Sequence, residues 1–395
     1  MEQLDILSIA ATWSFWDRPV PSSIPRRVDL PEALRESLCL VIRGVRRCGK
    51  STLLQQLMAR YALDPMHCAF LNFEDPRLSS ALSYETLEQL VMAFRHRHPD
   101  VAHLYFFLDE IQWVEGWERW LRTRLERPGG EVFVITGSCS DLLGRELSTV
   151  LTGRHLTVDL FPFDLGERRL LDPSTTVMDY LTKGGFPEPL YMADGDRLRR
   201  QYFYDIVERD VRERIGARSS LSIRQVVQMA FESMGSEMSL RRIAAASGIA
   251  VDTASSYLEA CEAAYLLFGC PYFAFSERRR ASRNRKYYPV DNGLRRVVVS
   301  QGAKDLGKAL ESAVYLALRR RFDQVFYWRD RGEVDFVVLT GGKIHPVQVS
   351  WEAATERHAR AAEEFYERFP QAEEMRLVTA ETFETALSSL VDGPR

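Results

Sequence analysis

Residues 38–61 read LCLVIRGVRRCGKSTLLQQLMARY, and three local patterns follow one another within them. Residues 38–44, LCLVIRG, form a short apolar run rich in β-formers, and the stretch TLLQQLMARY has apolar residues at helical spacing. Between them, Gly44 to Ser51 match G-x-x-x-x-G-K-[ST]. In such a strand, loop and helix, the backbone N–H groups of Gly44, Val45, Arg46, Arg47, Cys48, Gly49, Lys50, Ser51 and Thr52 are expected to cradle phosphate at a helix N-terminus. Lys50 is expected to reach the β and γ phosphates and Ser51 to ligate magnesium. The bland alternative is a glycine-rich strand-to-helix turn.

Working outward, HLYFFLDE at 103–110 ends in adjacent carboxylates, as a buried parallel strand does where it emerges beside a nucleotide. Asp109 is expected to hold magnesium and Glu110 to polarise the attacking water. A strand ending in Asp-Glu says little alone, but paired with the Lys50 loop it reads as the other half of one site. Strands are predicted at 68–73, 131–136 and 155–160, with helices at 83–97, 116–126 and 138–150. This alternation predicts an α/β fold with a parallel, helix-covered sheet.

Four separated motifs, GVRRCGKS, LDEIQ, TGSCS and GGFPE, resemble those of AAA-type P-loop ATPases, specifically a bacterial and archaeal family. The resemblance implies ATP and Mg2+ as cofactors. It also implies that Ser138 is a polar sensor and that Asn72 restrains the catalytic glutamate until a ligand binds. It makes Arg154, with Arg145 as runner-up, a finger reaching a neighbouring subunit's nucleotide, and hence implies a homo-oligomer; a surface arginine is the alternative for either. Pro187 resembles the Gly-x-Pro element of a lid touching adenine, where the alternative is a turn.

The chain has 395 residues, 46% hydrophobic and 27% charged, which fits a globular protein of two or three domains. Glu2 and Asp5 replace a basic leader, and no run of about 18 apolar residues occurs, so a cytoplasmic address without a membrane partner is expected. Six cysteines without C-x-x-C spacing argue against zinc and for reduced thiols. A net charge of −3 gives no global nucleic-acid signal, so any basic binding face must be local.

Such a face is predicted in the middle of the chain. A helix near 221–234 precedes RRIAAASG, a turn at 248–251 and TASSYLEACEAAYLL, which together match a helix-turn-helix. The extended runs PYFAF and KYYPV around SERRRASRNR would make its wing. The tip carries Arg278, Arg279, Arg280, Arg283, Arg285 and Lys286 against Glu277, and contact with DNA phosphates is the expected use. A solvated, edge-protecting hairpin tip is the alternative. Asp291 is expected to cap the following turn.

Helix 307–322, strands VFYWRD, EVDFVVL and IHPVQVSW, helix 352–368 and strand MRLVT resemble the element order of the PD-(D/E)XK nuclease fold. Glu311, Asp335 and the pair Gln348 and Ser350 stand at the positions that converge on metal in that fold. The departure is chemical: Gln348 is neutral and Ser350 cannot carry the positive charge that orients water. Lys343 and Glu333 are the candidates to replace what is missing. A retired or very weak metal site, with the fold kept for binding DNA, is the expectation.

The resulting layout is an AAA-type core at 1–170, a helical lid or connector at 171–220, a winged helix at 221–295 and a nuclease-like domain at 296–395. Three functions fit it: an ATPase that remodels or moves DNA, duplex or branched; an ATP-regulated nuclease; and a nucleotide-gated switch with a protein partner.

Overall fold

The computed structural model describes residues 5–79, 82–137, 151, 153–217, 219–299 and 305–386. The chain divides into two compact units, 1–160 and 161–395.

In the first unit, strands β1 (Cys39–Arg43), β2 (Cys68–Asn72), β3 (Leu104–Asp109), β4 (Glu131–Gly137) and β5 (His155–Asp159) form one sheet in the order β2-β3-β4-β1-β5. Every pairing is parallel. The central strands are apolar almost throughout because helices cover the sheet, so neither face can be polar. Helix α1 (Ile6–Trp13), α2 (Lys50–Arg60), α3 (Tyr84–Arg97) and α4 (Trp117–Glu126) supply the cover. Ile6, Ile9, Leu87, Leu90, Phe94, Trp117 and Leu121 share one buried cluster with Ala69, Leu71, Phe106 and Phe133. Each large apolar side chain buried there is worth about 1.5–3 kcal/mol. Trp16 stacks on Phe94 at 5.4 Å and donates to the Cys68 carbonyl at 2.8 Å, fixing the N-terminal segment. Sequence reading assigned no element before residue 38; α1 is the missing one. The helix expected at 138–150 lies outside the described residues.

In the second unit, α5 (Leu165–Leu171) and α6 (Val177–Lys183) precede α7 (Gly195–Asp205), which runs on through a π-helical segment Ile206–Arg212. Then come α8 (Ser220–Glu232), β6 (Glu237–Met238), α9 (Leu240–Ser247) and α10 (Val251–Ala263). Strand β7 (Leu267–Cys270), helix α11 (Glu277–Ala281), strand β8 (Arg285–Pro289) and helix α12 (Asn292–Val298) follow. Gly248 ends α9 at φ +65, a left-handed turn that suits glycine.

The expected wing differs in its first strand. β8 pairs with β7, at 267–270, not with PYFAF. The PYFAF run instead joins the next sheet, where Phe273 N–H donates to the Tyr327 carbonyl and Tyr327 N–H to the Pro271 carbonyl at 3.0 Å. A short apolar run of five residues does not fix a partner, and here the partner lies over 50 residues away.

Helix α13 (Leu306–Arg319), β9 (Val325–Arg329), β10 (Glu333–Thr340), β11 (Lys343–Val349), α14 (Glu356–Arg368), β12 (Arg376–Val378) and α15 (Phe383–Ala386) complete the unit. The sheet order is β12-β11-β10-β9, antiparallel except for the β11–β12 pair. Gly341 and Gly342, both at positive φ, close the β10–β11 hairpin. No helix among the described residues is long and apolar enough to cross a membrane.

Candidate functional site

Beyond β1 the chain turns at Gly44, where a Cβ would lie 2.0 Å from the Leu160 carbonyl oxygen, so only glycine fits. Gly49, at φ +99, is the residue before α2. Between them Arg47 holds the left-handed conformation at φ 69, a strained geometry for a side chain that carries a Cβ. Lys50 opens α2 and is 5% exposed. Its Nζ sits 3.2 Å from the Gly44 carbonyl, 3.4 Å from that of Val45 and 3.7 Å from Glu110 Oε1. Burial pushes the Cys48 thiol up, which leaves it an unreactive wall of the loop.

An element outside the motif braces this loop. Arg26 donates to the Cys48 carbonyl at 2.7 Å, and its backbone N–H donates to Gln56 Oε1 at 3.1 Å. Gln56 in turn donates to Ser23 Oγ and the Ile24 carbonyl. The extended 23–27 segment is thereby tied to α2 and the loop, a role with no pattern in the sequence.

Asp109 ends β3 and collects three donors: Ser51 Oγ at 2.7 Å, Asn72 Nδ2 at 3.1 Å and the Thr136 hydroxyl. Burial pushes its carboxyl up, and the adjacent Glu110 charge adds to the shift, against the Thr136 and Ser51 hydrogen bonds. Glu110 leaves the strand in the left-handed region, φ 57 and ψ 46, with its N–H on Thr136 Oγ1 at 3.2 Å. Gln112 Nε2 donates to Glu110 Oε2 at 2.6 Å, while Gln112 Oε1 is buried with no hydrogen-bond partner.

This corrects the expectation for Asn72. It faces Asp109 in the β2–β3 register, and its side chain binds that carboxylate, not Glu110. Gln112, two residues beyond Glu110 in LDEIQ, is the amide that holds the glutamate. The signal was visible in the motif, since a two-residue step through a left-handed turn can bring side chains back together. Ser138 and Arg145 lie outside the described residues. Arg154 precedes β5, whose first residue pairs with Cys39, so it stands at the edge of the sheet opposite the Lys50 loop, roughly 13 Å of strand away. It is no part of its own subunit's loop. Pro187 begins a turn of 3-10 helix, Glu188–Leu190, in the second unit.

The residues of the loop fit a nucleotide and a hard divalent cation. Two glycines make a concave backbone, one ammonium rests against loop carbonyls, and a hydroxyl and a carboxylate meet at 2.7 Å. Hard cations take such oxygen ligands together with phosphate oxygens.

The second unit holds another lysine among carboxylates. Lys286, read from sequence as a tip cation, is 0% exposed. This corrects its expected DNA contact: the residue begins the buried part of β8 and points inward, away from Arg285. Its Nζ pairs with Glu333 and, at 3.4 Å, with Glu311 Oε1. Tyr288 donates to the same Glu311 oxygen at 2.6 Å. Asp335 Oδ2 accepts from Gln348 Nε2 at 2.5 Å and Val349 N–H at 2.8 Å. Burial and the Glu311 charge push the Asp335 carboxyl up to about 8. Burial alone would lower the Lys286 ammonium, but Glu311, Glu333 and Asp335 outweigh it and hold it raised.

The structure thus brings Glu311, Glu333, Asp335 and Gln348 together, with a cation no motif announced. Lys343 is not that cation; it pairs with Glu373 at 2.8 Å in the exposed turn. Ser350 turns its hydroxyl to the Ala353 carbonyl. Among the described residues no group of three or more His, Cys, Asp or Glu is arranged to hold a metal.

Of the remaining tip residues, Arg278 and Arg283 are exposed and Arg279 is half-buried. Arg280 is engaged, donating to the Ala274 carbonyl and to Glu277, both at 2.6 Å. Arg285 lies 3.6 Å from Glu262. Asp291 caps α12 by accepting from Leu294 N–H at 2.8 Å, and it also accepts from Gly185 N–H at 2.5 Å.

Residues 36–168 match the family model of an AAA domain. Residues 174–305 and 306–391 match two domains of unknown function, DUF8612 and DUF4143. An uncharacterized protein of Haemophilus influenzae is 29% identical over 80% of this chain and 84% of its own length. Uncharacterized protein MJ1544 of Methanocaldococcus jannaschii is 31% identical over 79% of this chain and 74% of its own. The crystal structure of Cdc6p from Pyrobaculum aerophilum is 15% identical over 57% of this chain and 73% of that one, with a TM-score of 0.27.

Proposed function

We propose that this chain, which belongs to the same family as the Methanocaldococcus jannaschii protein, is an ATP-hydrolysing DNA-binding protein that couples turnover to remodelling or translocation of DNA, branched DNA included. The observation that carries the reading is the convergence of Lys50, Ser51, Asp109 and Glu110 between the loop and the end of β3. The loop N–H groups from Gly44 to Thr52 would hold the phosphates, and Ser51 and Asp109 the magnesium ion. Bound magnesium supplies charge neutralisation on the phosphate oxygens. Lys50 exchanges its contacts with the Gly44 and Val45 carbonyls for phosphate oxygens. Glu110 orients the attacking water and accepts its proton, held in place by Gln112. Asn72 and Thr136 fix the Asp109 carboxylate instead of acting on Glu110.

The second unit is the DNA-binding part: connector 171–220, winged helix 221–295 and nuclease-like domain 296–395. The exposed arginines Arg278 and Arg283 and the half-buried Arg279 support this, as does the helix, left-handed turn and helix formed by α9, Gly248 and α10. The nuclease-like domain binds without cutting, because each carboxylate of its polar cluster already has protein partners. Homo-oligomerisation, with Arg154 entering a neighbour's site, belongs to the same proposal.

Steady-state ATP hydrolysis at fixed low salt, without DNA and with single-strand, duplex, forked and four-way-junction DNA, tests it, with Lys50→Ala as the blank. Stimulation by one DNA shape is expected. Turnover above the blank that ignores every DNA would sink the coupling and leave a nucleotide-gated switch.

A further inference from the structure

Phe275 exposes 64% of its surface on the segment that leads into α11. Its ring is propped edge-on by Phe273 at 5.6 Å and Phe369 at 6.0 Å, so the face offered to solvent is rigid. Beside it opens a cleft of about 290 Å³ walled by Tyr272, Phe273, Phe275, Arg279, Trp328 and Arg368. Such a volume lies at the small end for ligand sites and accepts one planar group. The Arg283 and Arg279 guanidiniums sit over the Tyr272 ring at 5.0 and 5.9 Å. Glu277, the only carboxylate between residues 271 and 286, is taken by Arg280. Arg278, Arg279, Arg283 and Arg368 have no carboxylate partner among the described residues.

An exposed aromatic ring with Arg279 and Arg368 lining the cleft beside it, and Arg283 over the adjoining Tyr272, asks for a ligand with a planar π-face and negative charge next to it. A single strand of nucleic acid has that chemistry, its bases stacking on aromatic rings while its phosphates meet arginines. A duplex does not, because its base faces are already stacked. A peptide with acidic and aromatic residues would satisfy the charges but gains less from a flat, rigid platform.

We propose that Phe275 and its surrounding arginines form a stacking site for an unpaired base of single-stranded DNA, such as a forked duplex presents at its branch. The proposal rests on the DNA-binding reading and deepens it by naming the part of the DNA that is gripped.

The full chain is titrated with forked, single-stranded and blunt duplex DNA over a range of salt, the fork and the single strand carrying 2-aminopurine, in the fork within the unpaired arm beside the branch. Phe275→Ala is expected to weaken fork and single-strand binding about 5- to 150-fold, to abolish quenching of the 2-aminopurine, and to leave duplex affinity and the salt slope unchanged. Phe275→Trp restores binding. Arg283→Ala weakens every DNA and lowers the salt slope by about one. Because Phe275 is exposed, its loss spares the fold, and circular dichroism checks this. Fork binding by Phe275→Ala equal to that of the unaltered chain overturns the site and leaves the DNA reading standing. No binding of any DNA by the unaltered chain overturns both. Loss of self-association in Phe275→Ala, with DNA affinity intact, makes the cleft a protein interface and also overturns the site.

Discussion

Among the described residues each unit buries one lysine among carboxylates, and the two clusters behave oppositely. Lys50 stands at the first turn of a helix, behind a loop whose glycines leave room for phosphate, and its near neighbours include two carbonyls of its own loop. Lys286 stands on a strand, wholly enclosed, against Glu311 and Glu333. Carbonyl contacts are readily exchanged for a better anion, whereas a desolvated ion pair is costly to open. A lysine among acids is therefore a ligand site when its partners can be given up, and a cross-link when they cannot. In the second unit the link joins β8 to α13 and β10, and so ties the hairpin of the middle region to the C-terminal sheet.

The largest expected effect lies on the exchangeable side. Glu110→Gln keeps size and hydrogen bonding but removes the base, so ATP turnover should fall about 10²- to 10⁴-fold while nucleotide binding survives. Turnover within threefold of the unaltered protein would remove Glu110 from the reaction and leave the first cluster no more chemical than the second.

Next comes the cross-link itself. Lys286→Met leaves Glu311 and Glu333 buried without their cation and should cost about 3–5 kcal/mol in urea unfolding. Lys50→Met should cost clearly less, since its loss abolishes nucleotide binding before it disturbs packing. Equal losses of stability in the two variants would erase the distinction drawn here.

A smaller effect concerns Gln112. Its amide gives Glu110 one hydrogen bond of 2.6 Å, worth about 1.5–3 kcal/mol to a charged acceptor, so Gln112→Ala should lower kcat about 10- to 150-fold with KM nearly constant. Asn72→Ala, acting on Asp109, should raise KM for the magnesium nucleotide instead. Interchanged signatures would return the restraint of Glu110 to Asn72.

What the sequence made legible follows the same physics. The buried parallel strands β2, β3 and β4 were readable because continuous apolar runs ending in Asn72, Asp109 and Gly137 leave few alternatives. The phosphate loop was readable because its spacing is dictated by one small group of ligand oxygens. The strap at 23–27 was not, since Arg26 and Gln56 hold it through single hydrogen bonds between distant positions. Lys286 was misread because a charge run gives no direction. Only the alternation from exposed Arg285 into the apolar KYYPV run marks it as inward-facing. The partner of PYFAF was invisible for the reason any short strand's is: a short apolar run does not fix a partner, and Tyr327, far along the chain, decides the neighbour.

The smallest effect probes how the second cluster balances its charge. Glu311, Glu333 and Asp335 face the Lys286 ammonium and, 3.8 Å from Glu333, the half-exposed Arg329 guanidinium, so full ionisation would leave excess negative charge in a buried place. Burial and Glu311 hold the Asp335 carboxyl at about 8, against about 4 for an aspartate in an unfolded chain. Between those values the native state keeps a proton that the unfolded state has released. The stabilisation is therefore fully present below about pH 4 and is lost as pH rises through about 8. Thermal unfolding should accordingly move to lower temperature from pH 5 to pH 8 and level off above. Asp335→Asn, which is neutral throughout, should flatten that slope. Parallel curves for the two proteins would mean that Asp335 is ionised in the fold. Lys286 and Arg329 would then face three full negative charges.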